Sequence, residues 1–179
     1  MAETYTLHVA GLTRELPICK VNDHTDIAAF IMFGDVELTV ACARELLKKC
    51  PEFDVILTAE TKGIPLAYEM SRQSGKRWIP ARKSAKLYMR DPVVIEDQSI
   101  TTVGKQVLVI DHRDIEYMDG KRILIVDDVV STGGSLQALK ILAAKSTGTV
   151  VGCCAVLAEG SASKRTDLTF LEPLPLFVH

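Results

Sequence analysis

Residues Arg122 to Leu136 read RILIVDDVVSTGGSL. Ile123 to Val126 are four consecutive aliphatics, the pattern of a short strand buried on both faces. Two carboxylates, Asp127 and Asp128, follow at its end. Beyond Ser131-Thr132-Gly133-Gly134-Ser135, the spacing of Leu136, Leu139, Leu142 and Ala143 predicts a helix. A strand that opens through Gly, Ser and Thr into a helix N-terminus suits a phosphate. Glycine lets the backbone approach, N–H groups and hydroxyls donate, and the helix dipole favours the anion. The glycine spacing matches neither GxGxxG nor GxxxxGK followed by Ser or Thr. The paired aspartates are the added feature. Adjacent carboxylates can accept hydrogen bonds from a vicinal diol, so the loop is expected to hold a sugar phosphate.

The order of four aliphatics, Asp-Asp, variable residues and Thr-Gly-Gly-Ser resembles the signature by which type I phosphoribosyltransferases bind 5-phosphoribosyl pyrophosphate (PRPP). The resemblance implies that Asp127 and Asp128 lie along the ribose 2′- and 3′-hydroxyls. It places the 5-phosphate on Ser131, Thr132, Gly133, Gly134 and Ser135.

Bulk properties narrow the alternatives. With 179 residues the chain suits one domain, 1–179, with a sizeable core. Charged residues are 25% and the formal net charge is -2, so no basic field points to a nucleic-acid partner. The apolar run Val150 to Ala158 is interrupted by Gly152 and falls far short of the roughly 20 residues that span a bilayer. The start, MAETYTLHV, lacks the charged and apolar regions of a signal peptide, so a cytoplasmic protein without a membrane segment is expected. Cys19, Cys42, Cys50, Cys153 and Cys154 form no CxxC and have no His at metal-ligand spacing. They are expected to be reduced, small apolar residues.

Along the chain, Tyr5 to Val9 and Arg14 to Lys20 suggest extended segments with a turn at Gly11. Asp26 is placed to cap a helix from Ile27, carrying Ala28 to Ile31. A helical pattern continues after Gly34 from Val36 to about Lys49, where Pro51 ends it. Val55 to Thr58 is a second buried strand, followed by Ala59-Glu60-Thr61-Lys62-Gly63 and a helix closing near Gly75. Trp78 to Ala81 is a third, leading into Arg82-Lys83-Ser84-Ala85-Lys86. Residues 87–104 are polar and turn-rich, with Val93 to Ile95 and Gln98 to Thr102 as short strands. Gln106 to Ile110, Val150 to Leu157 and Phe170 to Leu174 complete the strands, with Asp111 to Met118 a connection or short helix. The αβ alternation argues a doubly wound, mostly parallel sheet flanked by helices. Both the 59–63 and the 131–135 loops leave strand C-termini, where such sheets bind ligands.

The resemblance extends to these segments and adds a small hood to the fold, with residues 1–35 contributing to it. It makes Thr61, Lys62 and Gly63 the pyrophosphate loop. It assigns Arg82, Lys83 and Lys86, in an RKxxK pattern like that of adenine phosphoribosyltransferases, to the same pyrophosphate. Residues 87–104 become the mobile loop that closes over PRPP. Mg²⁺ is expected to arrive on PRPP, without direct protein ligands. A base site is implied at Thr25, Asp26, Ile27 and Glu159. Here Thr25 stands where those enzymes carry arginine, and Ser99 to Gly104 lacks their loop glutamate. Xanthine enzymes follow the equivalent of Glu159 with lysine; Gly160 here tilts the choice to adenine. The implied reaction transfers phosphoribose from PRPP to a purine in a homodimer, with Asp127, Asp128, Lys62 and Arg82 carrying the chemistry. A 6-oxopurine enzyme and a PRPP-sensing regulator are the alternatives.

Overall fold

The computed structural model describes residues 3–97 and 106–179. The chain opens with three strands, β1 (Thr4–Val9), β2 (Leu12–Asn22) and β3 (Thr25–Ala28), before the helix α1 (Val36–Lys49). Then come β4 (Val55–Ala59), α2 (Ile64–Ser74), β5 (Arg77–Ala81), β6 (Val93–Asp97), β7 (Gln106–Ile110) and α3 (His112–Met118). The last third holds β8 (Arg122–Val130), α4 (Gly134–Ala143), β9 (Thr149–Glu159), a 3₁₀ turn (Gly160–Lys164), β10 (Thr169–Leu174) and β11 (Leu176–Val178).

Five strands form the central sheet in the order β10-β9-β8-β4-β5. Every pairing in it is parallel. Its strands read as aliphatic runs because both faces are covered. Alternate side chains of β8 part to the two sides. Ile123 and Ile125 pack with Leu136, Leu139 and Leu142 of α4 and with Met118 of α3. Leu124 and Val126 pack with Leu38 and Leu46 of α1 and with Leu66 and Met70 of α2. All of these are fully buried or nearly so, and truncating one such leucine to alanine costs about 2–5 kcal/mol. Strand order reverses direction between β4 and β8. In open parallel sheets that reversal leaves a crevice at the strand C-termini. The doubly wound α/β architecture expected from the alternation is therefore the one observed.

A second, antiparallel sheet has the order β1-β2-β3-β11. Its buried face supplies Leu7, Val9, Leu16 and Ala28 to the same core as α1. β6 and β7 form a two-stranded ribbon, tied to the end of β5 by the bridge from Arg82 to Val109. Residues 98–104, the tip of the expected mobile loop, lie outside the described residues, as does the strand expected at Gln98 to Thr102. Among the described residues, no helix is long and apolar enough to cross a membrane.

Two local expectations are overturned. Asp26 caps no helix: Thr25 to Ala28 is a strand, paired with β2 on one side and β11 on the other. The Asp26 carboxylate is bound by His179 Nε2 at 2.9 Å. The helix starts nine residues later than Ile27, at Val36, because Gly34 turns the chain at φ 81° and Asp35 supplies the cap. Asp35 accepts the Leu38 N–H at 3.0 Å and the Arg14 Nε–H at 2.7 Å, so the cap also anchors α1 to β2. Second, β8 does not stop before the aspartates. Its pairing with β4 ends at Val126, but pairing with the longer β9 runs on to Val130. Asp127 and Asp128 thus lie inside a strand, at the point where one neighbour has ended.

The cysteines are free thiols, with Cys42, Cys153 and Cys154 buried and Cys19 exposed. Pro51 packs where a side chain on Gly152 would stand, which brings Cys50 Sγ to 2.6 Å from Cys154 Sγ.

Candidate active site

Where β4 and β8 part, a cleft of about 740 Å³ opens at the C-terminal edge of the sheet. Its walls include Glu60, Thr61 and Lys62 from the β4–α2 turn, Lys83 after β5, Asp127 and Asp128 from β8, Ser135 at the start of α4, and Phe33. The volume is in the range of pockets that hold small ligands.

The turn after β4 is pressed against the acids. A side chain on Gly63 would collide with Thr58 Oγ1 and come to 3.1 Å from Asp127 Oδ1, so only glycine lets α2 start this close. The Glu60–Thr61 peptide is cis. The Glu60 carboxylate accepts from Arg82 Nε at 3.1 Å and from the backbone N–H of Lys83 at 2.9 Å. That amide, and then Arg82, hold Glu60 below the usual carboxylate range. Glu60 thereby clamps the ends of β4 and β5 together and presents Lys62 and Lys83 on one rim.

Asp127 and Asp128 sit differently although adjacent. The Asp127 Oδ1 accepts the Asp128 backbone N–H at 3.0 Å. Burial, reinforced by the Asp128 charge, pushes Asp127 well above the usual carboxylate range. Burial raises Asp128 too, while the hydrogen bond with Asp127, the Val129 N–H and the Lys62 charge oppose it. Asp128 is only 4% exposed, and among the described residues its Oδ2 has no hydrogen-bond partner, nor has Thr58 Oγ1. A buried carboxylate oxygen without a partner is costly unless a ligand or water completes it. Below the acids the chain turns through Gly133, left-handed at φ 86°, and enters α4 at Gly134.

Of the seventeen residues expected at the site, six line the cleft. Thr61, Lys62, Lys83, Asp127, Asp128 and Ser135 line one cleft. Arg82 lies behind Glu60, in a neighbouring groove with Tyr88 and Arg113, and donates to Tyr88 Oη at 2.8 Å. Lys86 donates to Ser84 Oγ at 2.8 Å. Ser131, Thr132 and Gly133 form the turn and Gly134 opens α4; none of the four is among the residues that line the cleft. Glu159 ends β9, partly buried; burial raises its pKa and the Lys62 charge lowers it. Thr25, Asp26 and Ile27 stand on β3, apart from the residues lining the cleft. Two residues of the cleft carry no role in the sequence expectation. Glu60 is one; its place two residues before Lys62 in the turn after β4 is the available signal. Phe33, half exposed over the cleft, lies between the helix expected to Ile31 and the turn at Gly34, and no local pattern marks it.

Comparisons with known proteins agree with this geometry. Residues 37–172 match the family model described as the phosphoribosyl transferase domain. A Thermotoga sp. (strain RQ2) protein named adenine phosphoribosyltransferase is 35% identical over 122 residues, covering 68% of this chain and 64% of that one, just under two thirds of the relative's length. A protein of the same name from Salinispora tropica is 30% identical over 183 residues, 94% of this chain and 95% of that one. The crystal structure of adenine phosphoribosyltransferase from Thermoanaerobacter pseudethanolicus superposes with a TM-score of 0.66 at 22% identity, over 78% of this chain and 82% of that chain, and so shares the fold. With a family match across most of its length, and a parallel sheet whose cleft lies at the reversal of strand order, the chain belongs to the phosphoribosyl transferase domain family.

Proposed function

We propose that this protein transfers the 5-phosphoribosyl group from PRPP to a purine base, adenine by preference, releasing pyrophosphate. The observation that carries the reading is the buried, unpartnered Asp128 Oδ2 beside Asp127, between the 131–135 turn and the Lys62–Lys83 rim. A ribose with its 2′- and 3′-hydroxyls on the two acids has its 5-phosphate toward 131–135 and its C1 pyrophosphate toward Thr61, Lys62, Gly63 and Lys83. The base nitrogen attacks C1 as the C1–oxygen bond to pyrophosphate breaks; the electron pair leaves with pyrophosphate, and the proton of the attacking nitrogen passes to solvent. Positive charge develops on the ribose ring in between. Lys62 and Lys83 stabilise the departing anion, and Asp127 and Asp128 hold the ribose and favour the cationic ring. Among the described residues no group of three Asp, Glu, His or Cys is placed to hold a metal, so Mg²⁺ would come in on the pyrophosphate, where it would neutralise leaving-group charge.

For the base, Phe33 offers an aromatic face and Glu159 a polar edge. Gly160 brings no side-chain cation of its own to meet a second oxo group, which favours adenine over xanthine. Arg82 acts from behind Glu60, and Lys86 from the outer end of the same rim. The antiparallel sheet is the hood, residues 87–104 the closing loop, and a homodimer the working assembly in the cytoplasm. The test is pyrophosphate release from Mg²⁺-PRPP with adenine, hypoxanthine, guanine and xanthine. Adenine is expected to turn over fastest. A 6-oxopurine winning by about tenfold or more, the scale of one mispaired buried group, overturns the base assignment; no release with any base overturns the whole reading.

A further inference from the structure

Arg165 follows the 3₁₀ turn after β9. Its guanidinium is forked onto Asp167, with Nε at 3.0 Å from Oδ1 and Nη2 at 2.8 Å from Oδ2. Asp167 Oδ2 also accepts from Lys140 Nζ of α4 at 2.8 Å. The fork fixes the direction of the third nitrogen. A side chain on Gly133 would meet Arg165 Nη1 at 2.8 Å and Cζ at 3.5 Å. The guanidinium therefore lies against the α-carbon of Gly133, in the middle of the 131–135 turn. Glycine is required there twice: for its positive φ and for the space the guanidinium occupies. Two cations share one carboxylate, so this cluster of Arg165, Lys140 and Asp167 has a net positive charge beside the turn. The turn itself contains Ser, Thr, Gly, Gly and Ser, which can donate hydrogen bonds but bring no charge.

We propose that Arg165 is a binding residue for the phosphate monoester held by residues 131–135, the 5-phosphate of PRPP and of the nucleotide product. This rests on the reading of 131–135 as the phosphate turn in the proposed function. The cleft is built for a ligand independently of Arg165, as the unpartnered Asp128 oxygen shows. A phosphate monoester is close to a dianion at neutral pH. Neutral amides and hydroxyls leave most of that charge uncompensated. Arginine is always protonated and matches phosphate geometry. The Asp167 fork holds it ready, so little side-chain freedom is lost when the phosphate arrives.

The experiment is titration calorimetry of the full chain with ribose 5-phosphate and, separately, pyrophosphate. Arg165→Ala is expected to weaken ribose 5-phosphate on the order of ten- to a hundredfold, the range for a charged hydrogen bond, while pyrophosphate binding stays within about twofold. Its binding should also depend less on salt, since one cation is gone. Arg165→Lys should recover part of the loss. Asp167→Asn separates charge from scaffolding. It breaks the fork but leaves the arginine, so it should cost much less than Arg165→Ala; equal losses from both would make the role structural and overturn the proposal. Wild-type affinity in Arg165→Ala would overturn it as well, with the phosphate turn intact. If the wild-type chain binds pyrophosphate but not ribose 5-phosphate, the reading of 131–135 fails and the proposal fails with it.

Discussion

The Glu60 carboxylate holds the Arg82 guanidinium across the ends of two neighbouring strands, Nε to Oε2 at 3.1 Å. The pair is about a quarter exposed on each side, so as a stabilising contact it is worth only about 1 kcal/mol or less. Its larger effect is on the cleft. Arg82 compensates the charge of an acid that lines the cleft, and Glu60 accepts from the Lys83 backbone N–H and so aligns it.

Arg82→Ala is therefore expected to harm PRPP binding in two ways, by losing a cation and by leaving Glu60 uncompensated. The KM for PRPP should rise about tenfold or more, with the KM for the base unchanged. The double variant Arg82→Ala, Glu60→Ala should recover part of the loss. A double-mutant cycle on kcat/KM for PRPP measures this; for residues in contact a coupling of about 0.5–3 kcal/mol is expected. Additive effects would show that the pair does not act as a unit.

Asp127→Asn and Asp128→Asn should each lower turnover about a hundredfold or more, because each replaces an acceptor of a ribose hydroxyl with a donor. The two acids also make opposite demands on stability and function. Burial raises Asp127 in the folded chain, so the fold binds that proton more tightly than the unfolded chain does. The stability this contributes is present below the ordinary carboxylate range and is lost as pH rises through the raised folded value. Without ligand, Asp127→Asn should then be more stable than the wild type at neutral pH, with a flatter pH profile. Urea melts from about pH 5 to pH 8 check the sign. A wild type that gains stability over that range relative to Asp127→Asn would contradict it.

The lysines should separate by position. Lys62 and Lys83 line the cleft, and their replacement by alanine should raise the KM for PRPP or lower kcat by about ten- to a hundredfold. Lys86, engaged with Ser84, should cost less. Lys48 and Lys49, in the last turn of α1, are the controls and should change neither constant. Steady-state kinetics on the five variants reads this directly; equal effects at the controls would dissolve the leaving-group assignment.

Phe33→Ala should raise the KM for the base several-fold and leave the KM for PRPP near its original value, because an aromatic face contributes to stacking and not to charge. Phe33→Tyr should retain most of the binding. The useful readout is the ratio of the two KM values, which a general loosening of the cleft would not shift.

Much of this molecule was legible in short stretches. The alternation of buried strand and helix was readable from Val55 onward because the central strands β4 and β8 carry aliphatic runs that lead into glycine-bearing turns. The Asp-Asp and Gly-Gly segments could be read as chemistry because their order alone restricts what they can bind. Thr25 to Ile31 misled for a physical reason. Asp before aliphatic residues is as compatible with a capped helix as with a strand, and the choice depended on β2 and β11 offering backbone partners. The His179–Asp26 contact joins residues 153 positions apart, which no local pattern encodes. The aspartates were placed beyond their strand because the length of β8 is set by β9, not by its own residues.

By itself the sequence determined the parallel α/β class, the two glycine-bearing strand-to-helix turns and the identity of the acids beside them. Those properties follow from local propensity, from which residues can be buried, and from the donors and acceptors that a short segment must expose. Only the tertiary structure decided that the two turns stand side by side at the reversal of strand order, that Glu60 neutralises Arg82, and that Phe33 overhangs the cleft. It alone brought Arg165 against Gly133. Such contacts arise when separate elements bury their apolar faces together. Their geometry depends on how whole surfaces fit, and no single stretch of chain contains it.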